Sequence, residues 1–378
     1  MFYIDGTKQM RVNFDTRSVE SAKVKEIYIS AIPTENAPPA ELAQEAFSGI
    51  SNILSSEGAR IFQERVFGTE EVVEIASSAR SKAYGDLDDG VAPSFLVGKE
   101  GLTGPFAGVQ VHAFRGDTKG EPVNLDGTAC GRVLRISDRA YLSLSAISAP
   151  QFEQADEQAA VCLQKAETAL KQFGVDFLSV PRTWMWLGDI LAWYDDFNQV
   201  RTNFFTERRL IGPGSRQSMP ASTGIGLGLA GGCKCAMDLT AVLKPLDSTE
   251  YLQAAGKQQC AFDYGSAFSR GARTITPAGE TVFVSGTASI DTSGATTHIG
   301  DAAGQIKATI ENVQAVLRDM DAADEDVIQV IAYCKTTRVE KIFNGLKDAF
   351  PWPWVTVICD ICRPDLLFEI EATAMPKH

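Results

Sequence analysis

The sequence predicts an α+β protein built from three β-α-β-α-β-β modules in one chain, packed about a common centre as an internal pseudo-trimer. Three observations carry this. The chain has 378 residues, too many for one ordinary domain and suited to two or three units of about 100–150 residues. The same order of strand and helix patterns returns three times. The first strand of each copy shares a wording: Ile27-Tyr28-Ile29-Ser30-Ala31, Leu142-Ser143-Leu144-Ser145-Ala146 and Val282-Phe283-Val284-Ser285-Gly286-Thr287-Ala288. Helices cover only one face of each sheet, so the other faces need a partner, and three sheets meeting at one centre provide it.

In the first module, the alternation over 25–31 reads as a strand. Leu42, Ala46, Phe47, Ile50 and Leu54 share one face of a helix over 40–57, the 3.6-residue period of an amphipathic element. A strand over 61–67, a helix over 70–84 and a strand over 109–114 follow. The middle module reads as strand 139–146, helix 155–173, strand 178–186, helix 193–208 and closing strand 236–243. In the third, a strand over 281–287 leads through a loop rich in Gly, Thr and Asp to a helix over 303–320. Ile306, Ile310, Val313, Val316 and Leu317 mark its apolar face. Strand 327–333, helix 339–350 and strands 355–359 and 366–375 complete it. The modules are placed at 1–135, 136–250 and 251–378.

Composition narrows the function. With 44% hydrophobic and 22% charged residues, disordered and collagen-like classes are out. Lys and Arg number 35 against 48 Asp and Glu, a formal charge of −13. Nucleic acid and anionic membranes require a basic surplus, so neither is an expected partner. An anionic substrate must instead be held by a few local cations against the field of the whole molecule. No apolar run reaches about 18 residues, the length of a membrane span. The N-terminal Met1-Phe2-Tyr3-Ile4-Asp5-Gly6 lacks a basic region followed by an apolar one, so a cytoplasmic location is expected.

The eight cysteines are expected to be reduced and mostly buried. Cys233 with Cys235 and Cys359 with Cys362 have the look of zinc ligands. Both pairs read as strand residues, where positions three apart do not share a face, so buried small side chains are the preferred reading. His112, His298 and His378 form no ligand pair, and no metal is expected. The glycines from Gly224 to Gly232 lack the strand–turn–helix context and downstream acid of a dinucleotide loop.

The third module resembles the RidA/YjgF family. The resemblance rests on Val284-Ser285-Gly286, the helix start from Gly300-Asp301 to Gln305-Ile306, Asn312-Val313 with Val316-Leu317, and Glu369-Ile370-Glu371-Ala372. That family forms small homotrimers with sites between subunits, so three modules in one chain look like a fused trimer that needs no further copy, and a monomer is expected. A narrower resemblance is to the chorismatases, whose fold is similar. It is carried by Arg182-Thr183-Trp184, Tyr194-Asp195-Asp196-Phe197-Asn198 with Arg201, and Pro220-Ala221-Ser222-Thr223-Gly224-Ile225-Gly226. Further on come Tyr264-Gly265, Phe268-Ser269-Arg270 and the run from Asp360-Ile361-Cys362-Arg363-Pro364 to Glu371.

That resemblance implies release of pyruvate from chorismate, giving a dihydroxycyclohexadiene carboxylate or a hydroxybenzoate, without metal or organic cofactor. Chorismate carries two carboxylates and calls for guanidinium or ammonium partners. Its enol ether breaks once the methylene carbon is protonated, which needs a carboxylic acid still protonated near neutral pH. A glutamate in an apolar pocket gains about 2–4 pKa units. Glu369, within Leu366-Leu367-Phe368-Glu369-Ile370, matches the family's acid, and Glu371, on the same strand face, is the second choice.

Arg201 shares a helix face with Tyr194 and Phe197 and, with Arg270, is expected to hold carboxylate. Tyr264 is a candidate hydrogen-bond donor to the substrate. Ser222, Thr223 and Gly224 offer donors and a side-chain-free approach. Lys335 stands where chorismatases carry an arginine. Gly224 and Cys362 match positions that accompany hydroxybenzoate formation in the family. Trp354 is placed where the RidA family carries its substrate-binding arginine, which argues against imine chemistry. An enamine or imine hydrolase, and a non-catalytic protein that binds a small carboxylate, remain the alternatives.

Overall fold

The computed structural model describes residues 10–212 and 218–376; His378 lies outside them. The chain forms three six-stranded sheets. The first contains β1 (Val12–Glu20), β2 (Val24–Pro33), β3 (Arg60–Gly68), β4 (Ser94–Val97) and β5 (Phe106–Gly116), with α1 (Pro39–Glu57) and α2 (Val73–Tyr84). The second contains β6 (Glu121–Leu125), β7 (Thr128–Ile136), β8 (Arg139–Ser148), β9 (Arg182–Leu187), β10 (Ala221–Ile225) and β12 (Cys235–Lys244). Its helices are α3 (Ala155–Lys171) and α4 (Ile190–Glu207). Between its last two strands, β11 (Gly228–Leu229) crosses over to pair with β4 of the first sheet. The third contains β13 (Glu250–Leu252), β14 (Gly271–Ile275), β15 (Glu280–Ala288), β16 (Val327–Cys334), β17 (Trp354–Ile358) and β18 (Phe368–Ala374), with α5 (Ala302–Asp319) and α6 (Thr337–Asn344).

The three sheets share one topology. The strand before the first helix pairs with the last strand, which pairs with the strand between the helices. That strand pairs in parallel with the one after the second helix: β3 with β4, β9 with β10, β16 with β17. Each helix layer buries its own apolar core, for example Leu42, Phe47 and Ile50 of α1 against Val109 and Val111 of β5. A central cluster joins all three modules through Phe67, Leu96, Trp184, Trp186, Tyr333 and Val355. A second, at the other end, joins Tyr28, Phe62, Tyr141 and Ile328. The sheet faces left bare by the helices therefore cover one another.

A polar ring keys the centre. Two residues before the central aromatics Phe67, Trp186 and Tyr333 stand Arg65, Trp184 and Ile331. Opposite these, on the closing strands, stand Gln110, Asp238 and Glu371. Gln110 donates to the Val330 carbonyl of the third module at 2.9 Å. Asp238 accepts from Arg65 of the first at 2.9 Å. Glu371 accepts from Arg182 of the second at 3.0 Å. Each closing strand thus reaches its neighbour in the same rotational sense.

The structure adds edge strands that hydrophobic patterning alone does not predict. β6 and β7 pair within the second sheet, so the passage from first to second sheet falls between Gly116 and Glu121, ahead of the limit expected at 135. Asp126 and Gly127, with φ of 51° and 80°, form the tight turn between them, an Asp-Gly turn suited to strand twist. The strand expected over 178–186 begins only at Arg182, because the Asp176 side chain accepts from the Leu178 N–H at 2.8 Å and caps a short 3-10 turn. α4 starts earlier than expected, with a kink at Trp193. The helix expected over 339–350 stops at Asn344, followed by a 3-10 turn at Lys347–Ala349. Among the described residues no helix is long and apolar enough to cross a membrane.

Candidate active site

Alternation along β18 sets up the site. Phe368, Ile370, Ala372 and Ala374 face the core beneath α5, so Glu369 and Glu371 face the centre of the pseudo-trimer. Where the second and third modules meet, a small cleft opens above Glu369. Tyr194 and Arg201 of α4 and Ser222 and Gly224 of β10 line one side. Tyr264, Phe268, Arg270, Cys362 and Arg363 line the other.

Glu369 is 4% exposed. Among the described residues no donor bonds its carboxyl and no cation forms an ion pair with it. Burial, then the neighbouring charge of Glu371, pushes its pKa up to about 8, against the pull of Arg182, Arg270 and Arg363. At neutral pH the group is therefore mainly a carboxylic acid. Its position depends on Gly286, which lies in a β-bulge between Val284 and Thr287. A Cβ at 286 would overlap the Glu369 Oε1, so a side chain there would displace the carboxyl.

Three guanidiniums line the cleft with the acid. Arg201 is buried, donates from Nη2 to Asn198 Oδ1 at 2.7 Å, and stands 4.8 Å from the Phe197 ring and 5.5 Å from that of Phe268. Its Nε is buried without a partner among the described residues, and burial lowers its pKa. Arg270 is fixed by the Gln259 carbonyl, at 3.0 Å from Nε and 2.9 Å from Nη2, and by Tyr264 Oη at 2.6 Å. Arg363 donates to the Gly294 carbonyl at 2.5 Å. Among the described residues none of the three forms an ion pair with a carboxylate. Three cations without counter-ions, in a chain of charge −13, form the local exception an anionic ligand requires.

The residues singled out in the sequence divide. Glu369, Arg201, Arg270, Tyr264, Ser222, Gly224 and Cys362 all line the cleft. Ser222 is held in place, its N–H donating to Ser285 Oγ at 2.8 Å and its Oγ accepting from Thr183 at 2.9 Å. Burial, then the charge of Glu369, pushes the Cys362 thiol up to about 12, so it stays a neutral lining group. Thr223 lies behind the lining, its Oγ1 accepting from Arg182 at 2.6 Å. Glu371 is also behind it, bonded to Arg182 and to Trp184 Nε1 at 3.0 and 2.7 Å. Lys335 follows β16 and turns its ammonium onto the Pro364 carbonyl at 2.5 Å, outside the cleft lining.

One correction follows. The carboxylate role expected of Lys335 is not placed by this geometry, because the Pro364 carbonyl fixes its ammonium elsewhere. Trp354 lies outside the cleft lining. It packs on Phe343 in the helix-side core, ring centroids 4.9 Å apart, and the guanidinium in front of the last strand is Arg363. Sequence reasoning passed over Arg363, Tyr194 and Phe268 as site residues. Arg363 and Phe268 stand inside the quoted motifs, but nothing local says which residues of a loop turn inward. The cysteines are all free. Cys233 donates to Gln158 Oε1 at 3.1 Å, and the glycine-rich stretch carries β10 and β11.

Comparisons with known proteins agree with this architecture. The family model described as endoribonuclease L-PSP matches residues 263–376, the third module. The crystal structure of a chorismatase superposes with a TM-score of 0.60 at 18% identity, covering 97% of this chain and 100% of that one. A YjgF/YER057c/UK114-family protein from Mycobacterium tuberculosis covers 34% of this chain and 100% of its own, at 22% identity and a TM-score of 0.27. Yeast Mmf1 also covers 34% of this chain and 100% of its own, at 13% and 0.30. No curated protein sequence matches the chain. The chain is thus chorismatase-like in fold: three RidA/YjgF-type modules in one polypeptide, arranged as an internal pseudo-trimer.

Proposed function

We propose that the chain is an enzyme that removes pyruvate from chorismate or a close cyclic dicarboxylate, with Glu369 as the acid. The observation that carries the reading is a buried carboxylic acid with no hydrogen-bond donor among the described residues, ringed by three guanidiniums that have no carboxylate partner there. Glu369 gives its proton to the methylene carbon of the enolpyruvyl ether. The positive charge then falls on the ether-bearing carbon, and the arginines hold the two carboxylates so that this carbon faces the acid. Two endings balance. Water adds to that carbon and the hemiketal collapses to pyruvate and a ring diol. Alternatively the ring hydroxyl oxygen attacks the neighbouring ring carbon, whose bond to the ether oxygen breaks so that pyruvate leaves; the hydroxyl proton returns to Glu369, and the ring aromatises to a hydroxybenzoate, taking up no water. Gly224 and Cys362 in the lining favour the second ending. A fused pseudo-trimer closes its own sheet faces, so the active form is a monomer.

Mass spectrometry of the products after incubation with chorismate tests the reading. A hydroxybenzoate, or a dihydroxycyclohexadiene carboxylate one water heavier than the remaining ring fragment, supports it. Unchanged chorismate overturns it.

A further inference from the structure

Glu371 shares the inner face of β18 with Glu369, two residues away, yet is bonded quite differently. Its Oε2 accepts from Arg182 Nη2 at 3.0 Å and its Oε1 from Trp184 Nε1 at 2.7 Å. Both donors stand on β9 of the second module. Arg182 is fixed in turn by Thr223 Oγ1 at 2.6 Å. The Trp184 ring has the Arg182 guanidinium 4.6 Å from its centroid and that of Arg65, from the first module, at 3.8 Å. All five side chains are buried. Guanidinium and indole N–H groups can only donate, so Glu371 is an acceptor on both oxygens.

We propose that Glu371 is a positioning residue for Glu369: held as a carboxylate by Arg182 and Trp184, it keeps the proton on Glu369 and makes the acid depend on how the second module is seated on the third. The proposal rests on the reading of Glu369 as the acid.

The groups facing Glu369 support it. From the third module come Arg270 and Arg363, and from β9 Arg182, each favouring the ionised form. Tyr333 stands opposite Glu369 in register on β16. Burial holds its phenol, the Tyr264 phenol and the thiols of Cys359 and Cys362 above their ordinary values, so these are neutral near pH 7. From α4, Arg201 adds a cation and Tyr194 another phenol raised by burial. Glu371 is the carboxylate in this set, and a like charge nearby opposes ionisation of a second one. Without it, three or more cations would draw the proton off Glu369.

Infrared titration of the intact protein without substrate tests this. The carbonyl stretch of a protonated carboxylic acid, isolated as wild type minus Glu369→Gln, should disappear with a midpoint near pH 8. In Glu371→Gln the midpoint should move down toward the ordinary carboxylate range. That variant leaves Arg182 buried and unpaired, which threatens folding. The double variant Arg182→Gln, Glu371→Gln removes both charges and should give a midpoint between the two. The same midpoint in all three proteins, with only thermal stability altered, would show that Glu371 merely welds the seam and would overturn the proposal. Absence of the wild-type band would overturn the acid reading itself.

Discussion

Asp238 and Glu369 are both buried acids on closing strands, facing the same interior, and they are opposites in bonding. Asp238 accepts from Arg65 Nε at 2.9 Å, Ser94 Oγ at 2.6 Å and the Ala146 N–H at 2.8 Å. Glu369 accepts nothing among the described residues and is held near pKa 8. The register makes the contrast sharper. Opposite the central aromatics Trp186 and Tyr333 stand Ala236 and Glu369, whereas Asp238 and Glu371 occupy the next inward position. The second and third modules therefore share a structural acid, and among the described residues only the third adds an unpaired one at this register. A paired buried acid joins modules; an unpaired one, in a cleft with cations, is the kind of group the proposed function needs.

The largest effect expected from breaking this contrast is on stability. Asp238→Asn leaves Arg65 buried without a counter-ion and should cost about 3–5 kcal/mol, read as a lower midpoint in urea unfolding. Glu369→Gln, which breaks no ion pair, should leave that midpoint unchanged or raise it at alkaline pH.

Gly286→Ala comes next. The new Cβ displaces the Glu369 carboxyl, so pyruvate release should fall about 10–100-fold through lost positioning, with circular dichroism unchanged.

The pH dependence sharpens the contrast further. The folded pKa of Glu369 is raised from 4.5 to about 8, so the active acid form persists through neutral pH, and kcat/KM should fall as pH rises through about 8. For stability, a neutral buried acid favours folding fully below its unfolded pKa. That contribution is lost progressively between about 4.5 and about 8. Unfolding of wild type compared with Glu369→Gln across that window checks the sign.

The smallest effect is expected at Lys335. Lys335→Ala removes a bond to a backbone carbonyl outside the cleft, and kcat/KM should change less than about twofold, as for other groups away from the site.

Much of the fold was legible because α1, α3 and α5 carry clear 3.6-residue apolar stripes and the three first strands share wording. The edge strands were less so. β6 offers only Val123 and Leu125 as buried apolar residues, and the buried run of β7 includes Gly131 and Arg132, although Asp126-Gly127 was a turn signal in plain view. β10 was hidden at the head of a glycine-rich run, because its pairing with β9 joins residues far apart in sequence. At the site, Glu369 stood out as a charge in an apolar strand. Nothing local separated it from Glu371, since the two differ only in what meets them across the module seam. Tyr194 depends on the kink at Trp193, and Arg363 on a loop path that no periodicity encodes.

Pyruvate release from chorismate, followed through lactate dehydrogenase with wild type and Glu369→Gln side by side, tests the central claim most directly. The wild type should release pyruvate, and the variant should be slower by about 100–10,000-fold, the usual worth of a general acid. Equal rates in the two proteins, or no release by the wild type, would contradict it.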